Sequence, residues 1–410
     1  VTEGRLQIGM GSRASAVSRT NNPYLEKQLQ KETQSLGFAN GKTDALSRVE
    51  QIFNEQANKG LNNYMTDFFN SFRELSNNPE SFTTRAMVKE AAQGLALDFG
   101  RVHRQLNEVQ ADLDGQIQAQ IQEVNKMTAE VAKLNEQIAM TEIQGIPAND
   151  QRDRRDLLLK NLNEKIDIHW AEGNNGLVTV QAAGNAILVS SYENAELITA
   201  TDPTTERTQV LYKSSASMPS VNITDRIRGG SVGGALVVRD GTVDDLKEKV
   251  NGMAFAIADE VNQAHQTGFD RMGRAGLDFF QISNDPKKYA EEMAVNDLVL
   301  EDVGRIAAGG KPNAPGDNMI ANVISQLQQK QVLLDGTTTL DDFYNSQVGS
   351  VGIAAQRAQK TQESQQDILN QLNNIRESIS GVSLDEETTR MIEFQRGFEA
   401  AARVIRTADE

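Results

Sequence analysis

Residues 104–141 read RQLNEVQADLDGQIQAQIQEVNKMTAEVAKLNEQIAMT, and this stretch decides the fold of the chain. Apolar side chains recur three and four residues apart through it, at Leu106, Val109, Leu113, Ile117, Ile121, Val124, Val131, Leu134 and Ile138. This spacing places them on one face of an α-helix, and the narrow, Gln-flanked stripe is typical of a coiled-coil seam. The helical pattern runs from about Thr83 to Thr141, and at ~1.5 Å per residue it predicts a rod of about 90 Å. Three glycines within it, Gly94, Gly100 and Gly115, allow a break or a bend.

A second seamed helix is predicted near the other end of the chain, over residues 340–380. Its seam consists of Val348, Val351, Ala355, Ala358, Ile368, Leu372, Ile375 and Ile379. A helix cannot bury such a stripe by itself, so we expect the two seams to pack in one elongated bundle. The bundle would then contain segments from both the N-terminal and the C-terminal parts of the chain.

Between the two seams, the apolar period changes from about 3.6 residues to 2, the period of a β-strand. β-type runs divided by turn clusters occupy residues 168–239, among them Leu177–Val180, Ile187–Val189, Gln209–Tyr212, Val221–Ile223 and Ala235–Val238. Short runs at regular spacing predict a small antiparallel sandwich or barrel. The expected fold class is therefore α+β multidomain, an elongated helical bundle with an inserted antiparallel β domain.

The domain boundaries follow from these changes of period. We expect a helical domain built from residues 1–167 and 240–410, with a separately folded β-rich domain at 168–239 inserted between its two parts. A Gly/Pro-rich irregular stretch is expected at about 268–338, with one helix near 318–334.

Composition excludes several classes of function. The 410 residues include 57 acidic and 41 basic side chains, and the net charge of −16 argues against binding to nucleic acid or to an anionic membrane. The chain has no cysteine, which excludes disulfides and thiol catalysis. No apolar run approaches the ~20 residues of a membrane span.

No arrangement of residues that is typical of a catalytic, cofactor or metal site stands out. The three histidines, His103, His169 and His265, have no ligand spacing. The run Gly229–Gly234 lacks the Lys-Ser/Thr of a phosphate-binding loop and is interpreted as a turn or bulge. The segments at Asp270–Gly273 and Asp240-Gly241 lack the alternating oxygen ligands of a calcium loop. We therefore expect a protein that is not an enzyme and holds no cofactor.

The last segment, 383–410, reads SLDEETTRMIEFQRGFEAAARVIRTADE. Ser383 and Glu386 form the pattern of a capping box, and Asp385 adds an anion near the positive end of the helix dipole. An apolar stripe then follows at Met391, Phe394, Phe398, Ala401, Ala402 and Ile405. An amphipathic helix is predicted here, with its stripe turned toward another helix.

This segment resembles the C-terminal motif of bacterial flagellar rod, hook and hook-associated proteins. The resemblance is carried by Ser383, Asp385, Glu386, Met391, Gln395, Phe398, Ala401, Val404, Ile405 and Thr407, whereas Ala402 stands where many relatives carry Asn. Further upstream, Asn149-Asp-Gln-Arg-Asp153 resembles a segment that closes the long helix in the hook-associated protein 1 family. The resemblance implies assembly or structural roles for Asp150, Arg152, Asp153, Ser383, Asp385, Glu386, Gln395 and Phe398.

Four more segments resemble the same family in the right order. They are the early residues Gly9–Leu25, Met65–Phe72 followed by Asn77-Asn-Pro79, the glycine run Gly230–Leu236, and Phe269–Phe280. The resemblance implies a structural adaptor of the bacterial flagellum that forms the junction between hook and filament. It further implies export through the flagellar secretion channel and three kinds of partner: hook protein, hook-associated protein 3 and copies of itself.

Three departures and two alternatives accompany this interpretation. The family's N-terminal helix and the end of its C-terminal helix are not matched, so we expect this chain to be a monomeric core that lacks the segment for an export chaperone. The outer domain that some members insert after Phe280 is not matched either. The alternatives are a hook-associated protein 3 or flagellin-like filament subunit and, more distantly, a secreted enzyme or adhesin with its activity in the β domain.

Overall fold

A computed structural model describes residues 22–53, 60–173, 175–215, 217–334, 336–380 and 384–409. The early segment Gly9–Val17 and the capping residue Ser383 lie outside the described residues. The N-terminal helices are α1 (Pro23–Ile52), α2 (Leu61–Asn77), α3 (Phe82–Ile143) and α4 (Asn149–Lys165). The first of these, α1, begins where the Asn22 side chain accepts hydrogen bonds from the next residues, with Pro23 in its first turn.

The predicted rod is confirmed as one helix. The 62 residues of α3 run without interruption from Phe82 to Ile143, and Ser81 caps the start through its side chain. Gly94, Gly100 and Gly115 do not break the helix, because packing along most of its length outweighs the ~1 kcal/mol that each glycine costs. The seam residues from Leu106 to Ile138 are buried, as their spacing predicts.

The strands are antiparallel throughout, which confirms the fold class of the insertion. The first sheet has the order β1 (Ile168–Glu172), β2 (Val178–Ala182), β3 (Ala186–Ser190) and β4 (Glu193–Asn194). The second sheet has the order β5 (Glu196–Thr201), β6 (Thr208–Lys213) and β7 (Val221–Asn222).

The apolar side chains of the strands are continuous with those of α3, and the separately folded β domain at 168–239 stays a prediction. Strand residues such as Val180 and Val210 belong to the same continuous apolar cluster as Ile121 and Val131 of α3. The sheets therefore cover the C-terminal half of the α3 seam. The division of the chain at residues 167 and 239 stays a prediction.

The glycine run after the strands is a helix, contrary to the interpretation of Gly229–Gly234 as a turn and of Ala235–Val238 as a strand. Helix α5 (Gly230–Val237) continues through a π-helical turn (Val238–Val243) into α6 (Asp244–Gln266). Glycine has a low helix propensity, but α5 crosses α1 so closely that their backbones touch. Only residues without a side chain fit at such a crossing. A methyl group built on Gly41 of α1 would lie 2.2 Å from the Ser231 carbonyl oxygen.

The stretch after α6 is irregular, with short elements that pack on α2, α3 and α6. They are β8 (Phe280–Gln281), α7 (Tyr289–Glu292), β9 (Ala294–Val295), α8 (Asp297–Glu301) and α9 (Met319–Gln326). The helix expected near 318–334 is thus shorter than predicted. Two Asp-Phe-Phe segments meet here, since the rings of Phe68 and Phe280 lie 5.5 Å apart and those of Phe72 and Phe279 lie 5.6 Å apart.

The second seamed helix, α10 (Leu340–Ser380), has the predicted bounds but not the predicted partner. It packs extensively along α1 rather than on the seam of α3. Its end forms a small apolar cluster of its own, which consists of Leu25, Leu29 and Leu36 of α1 with Leu369 and Leu372. N-terminal and C-terminal segments therefore share one bundle, as expected, although different faces are paired. Helix α11 (Leu384–Asp409) follows.

Candidate functional site

The segment at the start of α4 holds the strands against the end of α3. Arg152 donates from Nε to Glu142 Oε1 (2.7 Å) and from Nη2 to Glu142 Oε2 (2.9 Å), and its Nη1 bonds to Glu172 of β1. The hydrogen bond from Arg152 lowers the pKa of Glu142. Of the other two residues predicted here, Asp150 lies exposed in the first turn of α4, and Asp153 is also exposed.

Two buried residues beside Arg152 were missed by the sequence interpretation. Arg155 is 1% exposed and donates to the Gly176 carbonyl (2.8 Å), to Asn135 Oδ1 (3.2 Å) and to Glu172 (3.2 Å). Burial lowers the pKa of Arg155, and Glu172 opposes this effect. We call Glu142, Arg152, Arg155, Glu172 and Asn135 the Arg155 cluster.

The side chain of Asn135 on α3 forms hydrogen bonds to strand backbone groups, as the backbone of a neighbouring strand would do. Its Nδ2 donates to the carbonyl oxygens of Val178 and Ser191, both at 2.8 Å, and its Oδ1 accepts from Val178 N at 3.2 Å. Ten residues earlier, Asn125 makes the same paired contact with Leu197 of β5, at 2.7 and 2.9 Å. The sequence did carry a signal, because Asn135 lies four residues after Val131 on an otherwise apolar stripe.

A second polar cluster joins α3 and β6 to the π-helical turn. Arg239 is 2% exposed and donates to Asp114 of α3, to the Thr208 carbonyl (2.8 Å) and to both carboxylate oxygens of Asp240. Burial disfavours its charge, but Asp240 and Asp114 outweigh burial and raise its pKa. Arg207 pairs with Asp240 and Asp244, and we call Asp114, Arg207, Arg239, Asp240 and Asp244 the Arg239 cluster.

The C-terminal helix carries an exposed apolar stripe. Phe394 is 79% exposed and Phe398 is 76% exposed, and Met391, Val404 and Ile405 are exposed as well. Asp385 and Gln395 also lie exposed on α11, whereas Ser383 and the side chain of Glu386 lie outside the described residues. Among the described parts of the chain, no other element makes extensive contact with α11. The arrangement offers a surface for helix packing rather than for chemistry.

Asp270, which begins one of the two segments compared with a calcium loop, has protein partners. The carboxylate of Asp270 accepts from Met272 N (2.8 Å), Arg274 N (2.9 Å), Arg274 Nε (2.6 Å) and Arg305 Nη1 (3.2 Å). Within the described ranges, no group of three or more His, Cys, Asp or Glu side chains is placed to hold a metal ion. A search of the same ranges finds no helix that is long and apolar enough to cross a membrane.

His265 is fully buried at the end of α6 in its neutral form. Nε2 accepts from Ala307 N (2.7 Å), so Nδ1 carries the proton and donates to the Leu277 carbonyl (2.6 Å). Burial lowers its pKa to about 4. The histidine therefore ties α6 to the irregular stretch that follows it, and its predicted packing role agrees with these contacts.

This burial predicts an acid-dependent loss of stability. Between pH ~6.5 and ~4 the unfolded chain takes up a proton at this histidine while the folded chain does not. The free energy of unfolding therefore decreases as the pH is lowered through that window. The loss from His265 approaches ~3 kcal/mol at pH 4, at ~1.4 kcal/mol per pKa unit. In urea titrations from pH 7 to 4, His265→Gln should start less stable but fall less steeply than the wild type. Equal slopes for the wild type and the variant would contradict the assignment.

The comparisons with known proteins agree with the resemblance. The family model described as "Flagellar hook-associated protein FlgK helical domain" matches residues 46–280, and one described as "Flagellar basal body rod FlgEFG protein C-terminal" matches residues 377–410. The chain is 28% identical to flagellar hook-associated protein 1 of Bacillus subtilis (strain 168), over 98% of this chain and 85% of that protein. It is 24% identical to the protein of the same name from Escherichia coli (strain K12), over 98% of this chain and 88% of that protein.

A solved structure shows the same fold. The flagellar hook junction protein FlgK from Burkholderia pseudomallei superposes with a TM-score of 0.79 at 15% sequence identity, over 87% of this chain and 100% of that one. The helical-domain match spans more than half of the sequence, from α1 through the strands to Phe280. The chain therefore belongs to the family of the flagellar hook-associated protein FlgK.

Proposed function

We propose that this protein is a structural adaptor of the bacterial flagellum that joins the hook to the filament and has no catalytic activity. Support comes from relatives named flagellar hook-associated protein 1 that match 98% of the chain, and from a structural neighbour named as the hook junction protein. The two polar clusters agree with a structural role. Their arginines are bonded to backbone carbonyls and carboxylates of the protein itself.

The exposed stripe of α11 is the observation that carries the proposal. A helix that exposes two phenylalanines by more than three quarters gains little stability from its own fold, so its stripe is suited to packing against helices of neighbouring subunits. On this basis we assign the family residues Asp385, Gln395 and Phe398 to assembly, together with Ser383 and Glu386. Arg152 belongs instead to the internal contact between α3 and the strands.

The partners follow from the same proposal. Hook protein on one side, hook-associated protein 3 on the other and copies of this chain around the ring are the partners that the stripe and the strand region would meet. An export chaperone and passage through the flagellar secretion channel complete the scheme, since a subunit of an external structure must leave the cell. The acidic net charge of −16 is compatible with protein partners and unfavourable for nucleic acid.

The stripe can be tested in a strain that lacks its own hook-associated protein 1, with this chain placed between the N-terminal helix and the C-terminal end of that strain's protein. A protein carrying Phe394→Ser and Phe398→Ser should fail to restore filaments and swimming, because the paired substitution removes most of the aromatic area of the stripe. The purified variant should keep its thermal midpoint, since exposed side chains change stability by only ~0.5 kcal/mol or less. Filament counts by electron microscopy and swimming in soft agar are the measurements.

Two controls separate assembly from a general effect. Arg396→Ser alters the same helix at a polar position, and Leu97→Ser removes an apolar side chain of α3 that is 70% exposed. Both should restore swimming. Normal filaments with the double Phe variant would refute the assignment of the stripe. Failure of the wild-type fusion to restore swimming when it is expressed and exported would refute the adaptor function itself.

A further inference from the structure

The strand region, residues 168–222, is attached to α3 by both apolar packing and side-chain hydrogen bonds. An insertion that moved on a flexible joint would not need both. The two parts share one apolar cluster, and Asn125 and Asn135 each bond to both backbone groups of a strand residue. A hinge between these parts would have to expose the apolar cluster and break all of these hydrogen bonds together.

The two arginine clusters lie far apart along this contact. The Arg155 cluster meets α3 at Asn135 and Glu142, and the Arg239 cluster meets it at Asp114. Asn135 and Asp114 are 21 residues apart on one uninterrupted helix, which is about 30 Å at ~1.5 Å per residue. A single attachment allows the attached part to rotate, whereas two attachments at this separation oppose both rotation and sliding.

From this geometry we infer that the strand region and α3 form one rigid unit, and that Arg155 and Arg239 are the positioning residues that fix its orientation. Each arginine is buried and reaches three different parts of the chain, so its loss leaves carbonyl and carboxylate groups without a partner. The inference concerns the stiffness of the molecule and goes beyond its proposed place in the flagellum.

The absence of cysteine from the sequence makes the test direct, because introduced cysteines are then the sole thiols. Ala111→Cys on α3 and Ala171→Cys on β1 place spin labels at exposed positions in the two parts. Pulsed electron-spin measurements should give one narrow distance distribution for the labelled wild type. The distribution should widen by about twofold or more in the Arg155→Met, Arg239→Met double variant, as expected when a fixed interface becomes a hinge.

A matched control lies next to Arg155. Arg154 on the same helix pairs with Glu130 at 2.7 Å, but its side chain is 67% exposed. Arg154→Met should leave the distribution narrow, because an exposed pair contributes little. Circular dichroism shows whether each variant is folded. If the double variant does not fold, Glu172→Gln and Asp240→Asn test the same two clusters at half-exposed positions and should each widen the distribution.

Either of two results would overturn the inference. A broad or multiple distribution in the wild type would show that the strand region already moves on α3. An unchanged narrow distribution in folded variants with both clusters disrupted would show that the arginines do not fix the orientation and that the apolar contact does so by itself. A merely stabilising role would lower the unfolding midpoint without widening the distribution, and this outcome also counts against the inference.

Discussion

Replacing Gly41 by alanine is expected to lower the free energy of unfolding by ~3 kcal/mol or more, a large effect for the addition of one methyl group. The added Cβ would lie 2.2 Å from the carbonyl oxygen of Ser231, which is a backbone atom of α5 and cannot rotate away. The same crossing excludes a side chain from the other side, because a Cβ on Gly234 would lie 2.3 Å from the Phe38 carbonyl oxygen. Relief therefore requires α1 and α5 to separate.

The control for this prediction is a helical glycine that no other element approaches. Gly349 lies in α10, and apart from its chain neighbours and the adjacent backbone of its own helix no atom lies within 4 Å of its ideal Cβ position. Gly349→Ala should raise stability by ~1 kcal/mol, because alanine is the better helix former. Urea denaturation gives both values from one series. If Gly41→Ala also proves neutral or stabilising, the close crossing of α1 and α5 is not part of the native structure.

These glycines show which part of the fold a sequence determines locally. The bounds of α3 and α10 were predictable, since apolar spacing is a property of each segment by itself. Which faces pair is not local, and the expected contact between the seams of α3 and α10 failed for that reason. Helix α10 packs on α1, and the far half of the α3 seam is covered by strands. A strand offers the same apolar cover as a helix, so the seam of α3 gives no preference between them.

The glycine run was misread for a related reason. Local propensity disfavours a helix over Gly229–Gly234, but the crossing demands residues without a side chain on both helices. Gly41 on α1 and Gly234 on α5 face each other's helix at this crossing, whereas Gly37 and Gly230 lie against the backbone at the end of α4, near Glu164 and Lys165. The glycines at these positions were the available signal. They become meaningful once the segments are known to meet, which a single sequence does not tell.

In the candidate site, too, some residues could be predicted from the sequence and others depend on tertiary contacts. The resemblance identified Arg152 and the α11 stripe, and the structure places Arg152 in a bonded cluster and the stripe on an exposed face. Arg155 and Asn135 were missed because their roles depend on the strands that lie against them. From the sequence by itself, Arg155 is one of several charged residues in the mixed run 150–156. Asn135 is a polar residue of the kind that a coiled-coil seam tolerates.

Substituting leucine for Asn135 should therefore be among the most destabilising single changes in this protein. Leucine keeps the branched shape and the number of heavy atoms of asparagine, so the main loss is one of hydrogen bonds. Val178 loses the partners of both its backbone groups, and Ser191 and Arg155 each lose one more. Buried polar groups without partners cost ~1–3 kcal/mol each, and partial relaxation makes a total of about 4 kcal/mol reasonable.

The measurements for this change distinguish a local from a general effect. Under native conditions, hydrogen exchange at the Val178 amide should become faster than in the wild type. The increase should be larger than for amides at the start of α3, because the substitution removes the hydrogen bonds that hold the strand. Gln122→Leu on an exposed face of the same helix should change the unfolding free energy by no more than ~0.5 kcal/mol. Asn125→Leu should fall between the two, because it breaks the same pair of backbone contacts at a less buried position and does not touch an arginine. Equal stability of the Asn135 and Gln122 variants would mean that the amide is not the anchor of the strands, and the attachment would then rest on the apolar seam alone.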